Sequence, residues 1–158
     1  ELMASIWSKE GLETARRVGM KRYKIAAHVA AENSALTEMI LADGKETFVS
    51  GAMPMTEQVK PLYCVSEYPV YPSHLKIPLT FNSDESLFHI YYGYSDHAHG
   101  IEACLLAIAR GARYVEKHFC LDKTDLVVKD TPFSATPSEF AELVRIGNGI
   151  HRLLEAGA

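Results

Sequence analysis

Short apolar runs alternate along the chain with longer stretches whose apolar positions recur every three or four residues. The runs are Leu2–Trp7, Arg22–Ala27, Glu46–Ser50, Pro61–Ser66, Ile90–Tyr94 and Tyr114–Phe119. Each is short and bounded by turn formers, and each predicts a β-strand. Between them, Leu12, Ala15 and Val18 mark a helix that Ser8 caps and Gly19 stops. Asn33 and Ser34 open a second helix, carried by Leu36, Met39 and Ile40 and ended by Asp43-Gly44. A third runs from Ile101 to Ala112, with Ile101, Leu105, Ile108 and Ala109 on one face and Gly111 as its stop. The last begins at Thr136-Pro137-Ser138-Glu139: a cap, proline at the first helical position and an acidic first turn. Phe140, Leu143, Val144 and Ile146 form its apolar face, Gly147 and Gly149 weaken it, and His151 to Glu155 form its tail.

Three intervals break the alternation. Thr56 begins a helical pattern, but Pro61 follows almost at once, so no full covering helix fits there. Residues 68–86 are rich in turn formers, with Pro69, Pro72 and Pro78, and Asp122 to Thr136 reads as a long loop. Strands alternating with helices predict an α/β fold with parallel strands. Six strands are predicted, whereas a (β/α)8 barrel needs eight and typically about 250 residues. From the pattern alone, an open doubly wound sheet is the simpler expectation.

Composition narrows the class. The 158 residues, 47% hydrophobic and 23% charged, suit one globular domain over residues 1–158. No apolar run approaches the ~20 residues of a membrane span, and Glu1-Leu-Met-Ala-Ser lacks the basic start of a signal peptide. A net charge of −4 argues against a nucleic-acid surface. Cys64, Cys104 and Cys120 are odd in number and form no Cys-x-x-Cys pair, as in a cytoplasmic protein with reduced thiols. Cys64 and Cys120 fall in strand candidates and are expected to fill the core.

The candidate chemistry sits where strands end, because α/β folds bind ligands at the carboxyl ends of their strands. Those ends carry Ser5, Lys24, Ser50, Ser66, Ser95 with His97, and Glu116 with His118. A lysine with several hydroxyls suits a phosphate or carboxylate; serines also populate turns for purely local reasons. Neighbouring parallel strands lie about 5 Å apart, so His97 and His118 can share one divalent cation; hydrogen-bonded packing is the alternative for each. Glu116 either orients His118 or makes a structural ion pair. His99 is a weaker third ligand candidate, and His28, His74, His89 and His151 read as surface or packing residues. Lys45 follows Gly44 without a glycine-rich loop, which excludes a Walker-type phosphate site.

Gly93-Tyr-Ser-Asp-His97, Gly100-Ile-Glu-Ala103, Glu116-Lys-His-Phe119 and Asp122 together resemble the sialic acid synthase family, N-acetylneuraminate synthase-like. The family pattern is Gly-Tyr-Ser-Asp-His-Thr-Leu-Gly-Ile-Glu-Ala, and Ala98-His99 stands here for Thr-Leu. The resemblance runs from Leu2 to the last helix. It implies a (β/α)8 TIM barrel that is incomplete here, with about six parallel strands corresponding to the third through eighth. The first two βα units, the motif Glu-Ile-Gly-x-Asn-His and the C-terminal antifreeze-like domain have no counterpart in this sequence.

The implied reaction condenses phosphoenolpyruvate with an N-acetylated amino sugar, such as N-acetylmannosamine, and releases phosphate. His97 and His118 match the family's metal-binding histidines, with manganese expected and magnesium or cobalt as alternatives. Lys24 matches the lysine that grips the phosphoenolpyruvate anion and counts with the two histidines as catalytic. Ser5, Ser50, Ser66 and Ser95 match further anion contacts, and Tyr68 and Asp130 match sugar contacts. Ala27 replaces a phosphate-binding serine, and Val128-Lys129 replaces the Gly-Pro that precedes the family's aspartate. The resemblance allows a homodimer. It also implies that these strands alone are catalytically incompetent, because a glutamate on the family's first strand manages the attacking water. Two other classes compete: a non-catalytic binding or scaffold domain, and a different metal-dependent barrel such as a sugar isomerase, in which acidic ligands should outnumber histidines.

Overall fold

The computed structural model describes residues 3–81, 91–124 and 128–157. Its elements are β1 (Ala4–Ser5), α1 (Lys9–Arg17), β2 (Arg22–Ile25), α2 (Ala27–Glu32), α3 (Ser34–Leu41), β3 (Glu46–Ser50), β4 (Val59–Cys64), β5 (Gly93–Asp96), α4 (Glu102–Ala109), β6 (Tyr114–Lys117) and α5 (Pro137–Glu155), with a 3-10 turn at Thr131–Phe133 before the last helix. Among the described residues no helix is long and apolar enough to cross a membrane.

All six strands are parallel and lie in chain order, β1-β2-β3-β4-β5-β6. A doubly wound sheet reverses its order at a switch point; this one never does, which corrects the expectation drawn from the pattern alone. It is also curled. Lys24 on β2 and Glu116 on β6 are four strands apart, about 19 Å in a flat sheet, yet Lys24 Nζ lies 3.2 Å from Glu116 Oε2. Phe48 on β3 stacks on Tyr114 of β6 with ring centroids 4.4 Å apart. The six strands are part of a (β/α)8 barrel.

Alternation divides the side chains between two faces. Tyr23, Ile25 and Val49 point outward and pack with Leu12, Ala15, Leu36 and Ile40 of α1 and α3. Tyr94 packs outward with Ala103, Cys104 and Ala107 of α4 and Leu143 of α5. The opposite face, inside the curl, carries an aromatic layer of Phe48, Tyr92 and Tyr114. Above it stand Lys24, Ser50, Cys64, Ser95 and Glu116. At the foot of the strands, Asp43 accepts from Arg16 at 2.6 and 2.9 Å and from the Tyr23 hydroxyl at 2.9 Å, tying α1 to the turn before β3.

The caps read from sequence form. Ser8 Oγ accepts from Gly11 N at 3.1 Å, and Asn33 Oδ1 from Leu36 N at 3.0 Å. Thr136 and Glu139 make a capping box. Other boundaries move. The second strand stops at Ile25, and Ala27 opens a short helix the pattern did not separate from it. No helix follows Thr56; its hydroxyl accepts from Val59 N at 2.9 Å and starts β4 two residues before Pro61. Pro61 is tolerated because its missing N–H falls one residue before pairing with β5 begins, at Leu62↔Gly93. The fifth strand begins at Gly93 and continues through Ser95 and Asp96, beyond the predicted end at Tyr94; Ile90 and His89 lie outside the described residues. Cys64 and Cys120 are only half-buried, and Cys104 is the fully buried thiol; all three are free.

α5 runs unbroken through both of its glycines. Gly147 has a packing reason: a Cβ there would lie 2.8 Å from Ile108 Cδ1 on α4, whereas one at Gly149 would meet nothing within 4 Å. Gly149→Ala should therefore stabilise by about 0.5–1 kcal/mol through helix propensity, and by more than Gly147→Ala, where the end of the Ile108 side chain has to shift to make room, both read by urea denaturation. The Lys123 ammonium and the Thr136 amide hold the Glu139 carboxyl at about 2, below its ordinary 4.5. A depressed carboxylate contributes stability above its unfolded value and loses it as pH falls through the folded one. The stability difference between the parent and Glu139→Gln should hold from neutral pH to about pH 5, then vanish towards pH 2.

Candidate functional site

The strand ends surround a cavity of about 410 Å³ inside the curl. A groove of similar size between α4, β6 and α5 lies away from the strand ends and gathers no comparable set of donors. Of the nine residues matched to catalytic, metal or substrate positions, eight line the strand-end cavity: Ser5, Lys24, Ser50, Tyr68, Ser95, His97, His118 and Asp130, and Glu116 lines it with them. Ser66 does not. β4 ends at Cys64, which pairs in register with Ser95, so Cys64 takes the cavity position and Ser66 stands one pleat beyond, exposed. Sequence reasoning assigned no cavity role to Trp7, Ala26 or Cys64, which also line it. The period of two that links Cys64 to Ser66 was the available signal, but it needed the strand end placed to within two residues.

At the inner side of the cavity is a buried charge. Lys24 Nζ donates to Ser50 Oγ at 2.8 Å and lies 3.2 Å from Glu116 Oε2. Ser95 Oγ donates to the other carboxylate oxygen of Glu116 at 3.0 Å. Glu116 thus spans β2 and β5 from within and occupies the donors that an incoming anion would use. The ion-pair reading of Glu116 matches this contact, though its partner is Lys24, far away in sequence.

At the outer side are two imidazoles, their ring centroids 5.3 Å apart. His97 is buried, and its Nδ1 donates to Val65 O at 2.8 Å. Burial holds its pKa below the ordinary value, so the ring is neutral near pH 7 with its lone pair on Nε2. His118 Nδ1 lies 3.4 Å from Asp130 Oδ2. The Tyr68 ring covers His97 at 4.1 Å, and Phe133 stands 5.2 Å from His118. A backbone carbonyl or carboxylate on one ring nitrogen, with the other left as a donor, is how metal-binding histidines are held. Two nitrogen ligands of this kind suit a divalent cation that completes its shell with water and substrate oxygens. Among the described residues no group of three or more His, Cys, Asp or Glu side chains is placed to hold a metal. His99 is not part of the set: it lines a different pocket, beside α4, and its Nδ1 donates to Pro132 O at 3.0 Å. Burial pushes the Cys64 thiol up, so it is protonated at neutral pH.

Comparison with known proteins agrees with the fold and the motifs. The NeuB family model matches residues 1–157. The chain belongs to the NeuB family. Among NeuB relatives, the pseudaminic acid synthase of Campylobacter jejuni (strain 81-176) is 31% identical over 156 residues, 89% of this chain and 45% of that protein. The human N-acetylneuraminate-9-phosphate synthase is 37% identical over 93 residues, 59% of this chain and 26% of that protein. The crystal structure of an N-acetylneuraminic acid (sialic acid) synthetase from Leptospira borgpetersenii serovar Hardjo-bovis superposes with a TM-score of 0.80 at 28% identity, covering 96% of this chain and 57% of that one. The chain therefore spans less than half the length of these curated NeuB relatives.

The Lys24–Glu116 contact yields a prediction with opposite signs at its two ends. A charge-assisted hydrogen bond is worth about 1.5–3 kcal/mol, and about 1.4 kcal/mol is tenfold in affinity. Lys24→Met should weaken binding of inorganic phosphate at least about tenfold, whereas Glu116→Gln, which removes the competing carboxylate, should strengthen it, both read by calorimetry.

Proposed function

We propose that this chain forms the phosphoenolpyruvate- and cation-binding part of a NeuB-type synthase that condenses phosphoenolpyruvate with an N-acetylated amino sugar. The observation that carries this reading is the convergence in one cavity of a buried lysine, several hydroxyls and two anchored imidazoles, in a chain of this family. Lys24, Ser50 and Ser95, with Ser5 at the rim, hold the anionic groups of phosphoenolpyruvate. Tyr68 and Asp130, beside the histidines, bind the sugar. His97 and His118 hold a divalent cation, manganese in this reading, which when bound supplies Lewis-acid polarisation of the sugar aldehyde.

In the reaction, the enol carbon of phosphoenolpyruvate bonds to the aldehyde carbon, water adds at the carbon that bore the phosphate, and phosphate leaves. The work of these residues is placement: two reactants held at near-attack distance. The protonated Cys64 thiol offers no nucleophile, and none is needed. Activation of the attacking water falls to groups outside these six strands.

The folded chain should bind phosphoenolpyruvate by calorimetry and stoichiometric Mn2+, with Mn2+ binding lost in His97→Ala. It should release no phosphate from phosphoenolpyruvate and N-acetylmannosamine by itself. A folded chain that binds neither ligand would instead be a scaffold that retains only the pocket's shape, and turnover by the chain alone would show that these strands suffice.

A further inference from the structure

Behind the wall that presents the two imidazoles lies a charge pair to which the reaction above assigns no role. Asp96 precedes His97, and Lys117 precedes His118. Their side chains are 0% and 1% exposed, and Lys117 Nζ donates to Asp96 Oδ2 at 2.7 Å. The same ammonium donates to the carbonyl of Ala98. Asp96 Oδ1 accepts from Ala98 N at 2.9 Å and from the Tyr94 hydroxyl at 2.6 Å, and the Cys104 thiol donates to Oδ2 at 3.4 Å. Every oxygen and proton of the pair that these contacts reach is satisfied from β5, α4 or the turn after His97.

The location of the pair gives it a consequence. Asp96↔Lys117 is the last rung in the register between β5 and β6. Beyond it no rung joins His97 to His118 directly; each is held from its outer side instead, His97 O by Val70 N at 3.0 Å and His118 O by Ala135 N at 2.7 Å. The pair is the link between the two: it joins the residue before His97 to the residue before His118, and through Ala98 it also holds the residue after His97. Alternation turns Asp96 and Lys117 toward α4 and the two imidazoles toward the cavity. Stability alone is a weak reason for such a pair, because apolar residues of similar volume often serve as well or better.

We propose that Asp96 and Lys117 are positioning residues whose buried ion pair fixes the spacing and orientation of the His97 and His118 rings, so that both address one ligand. This rests on the reading that the two rings share a cation, and the test separates the two claims. The double variant Asp96→Asn/Lys117→Met removes both charges together, so neither is left buried alone, and it keeps acceptors for Tyr94 and Ala98. Arg16→Met/Asp43→Asn, a more exposed ion pair at the foot of the strands, is the control for losing an ion pair away from the histidines.

Two readouts are compared on folded protein: Mn2+ affinity by calorimetry, and ring nitrogen signals of 15N-labelled histidine. The parent should show His97 as a single Nδ1-protonated tautomer. The double variant should lose about ten- to a hundred-fold in Mn2+ affinity, the range expected when a support behind a metal ligand is removed, and its His97 and His118 ring signals should average; the control should change neither. Unchanged ring signals in the double variant overturn the proposal, whatever the metal result. If the parent binds no Mn2+, the shared-cation reading falls and the ring signals alone decide the positioning claim. Should the double variant not fold, Lys117→Arg takes its place: it keeps the charge but not the geometry that reaches both Asp96 and Ala98, and parent-like rings in that variant overturn the proposal equally.

Discussion

Lys24 and Glu116 stand four strands apart in the sheet and 3.2 Å apart in space. That contact exists only because the sheet curls, and it stands at the inner side of the strand-end cavity. Bringing two opposite charges inside the curl is favourable only if their remaining valences are filled. Ser50 and Ser95 fill them, from β3 and β5. Four strands, β2, β3, β5 and β6, are thus bound to one another through side chains as well as through the ladder. Lys24 and Ser95 are donors of the kind an anion requires, and the Glu116 carboxylate takes them both.

The division between the two faces of each strand explains how so polar an interior is compatible with a stable fold. Outward residues such as Tyr23, Ile25, Val49 and Tyr94 are apolar or capped, and they join the helices in two buried clusters. Inward residues change character along the strand, from the aromatic layer of Phe48 and Tyr114 to the hydroxyls, lysine and histidines at the carboxyl ends. Asp96 and Lys117 are the exception, charges on the outward face. They fall at the position where the ladder ends and the imidazoles begin.

Much of this was legible beforehand. The caps at Ser8, Asn33 and Thr136 depend on residues within four positions of one another, so their types and spacing suffice. That His97 and His118 could come close followed from βαβ geometry and a period of two, and the ring centroids lie 5.3 Å apart. Boundaries were less legible. β5 was read too early because its apolar residues precede Gly93, while its true end contains Ser95 and Asp96, which are strand residues only because β6 and α4 supply partners. Ser66 was chosen over Cys64 for a related reason: the end of β4 is set by its register with β5, not by the polarity of its own residues.

By itself, the order of residues determined the elements, the parallel α/β class and the two motifs that carry the family. These are properties of short windows, decided by local sterics, capping and the placement of apolar side chains. Only the tertiary structure decided that the strands wind one way and curl, that Glu116 meets Lys24, and that Asp96 and Lys117 close behind the histidines. Those facts depend on residues dozens of positions apart, and a linear pattern carries no record of which distant charge will arrive at a buried one.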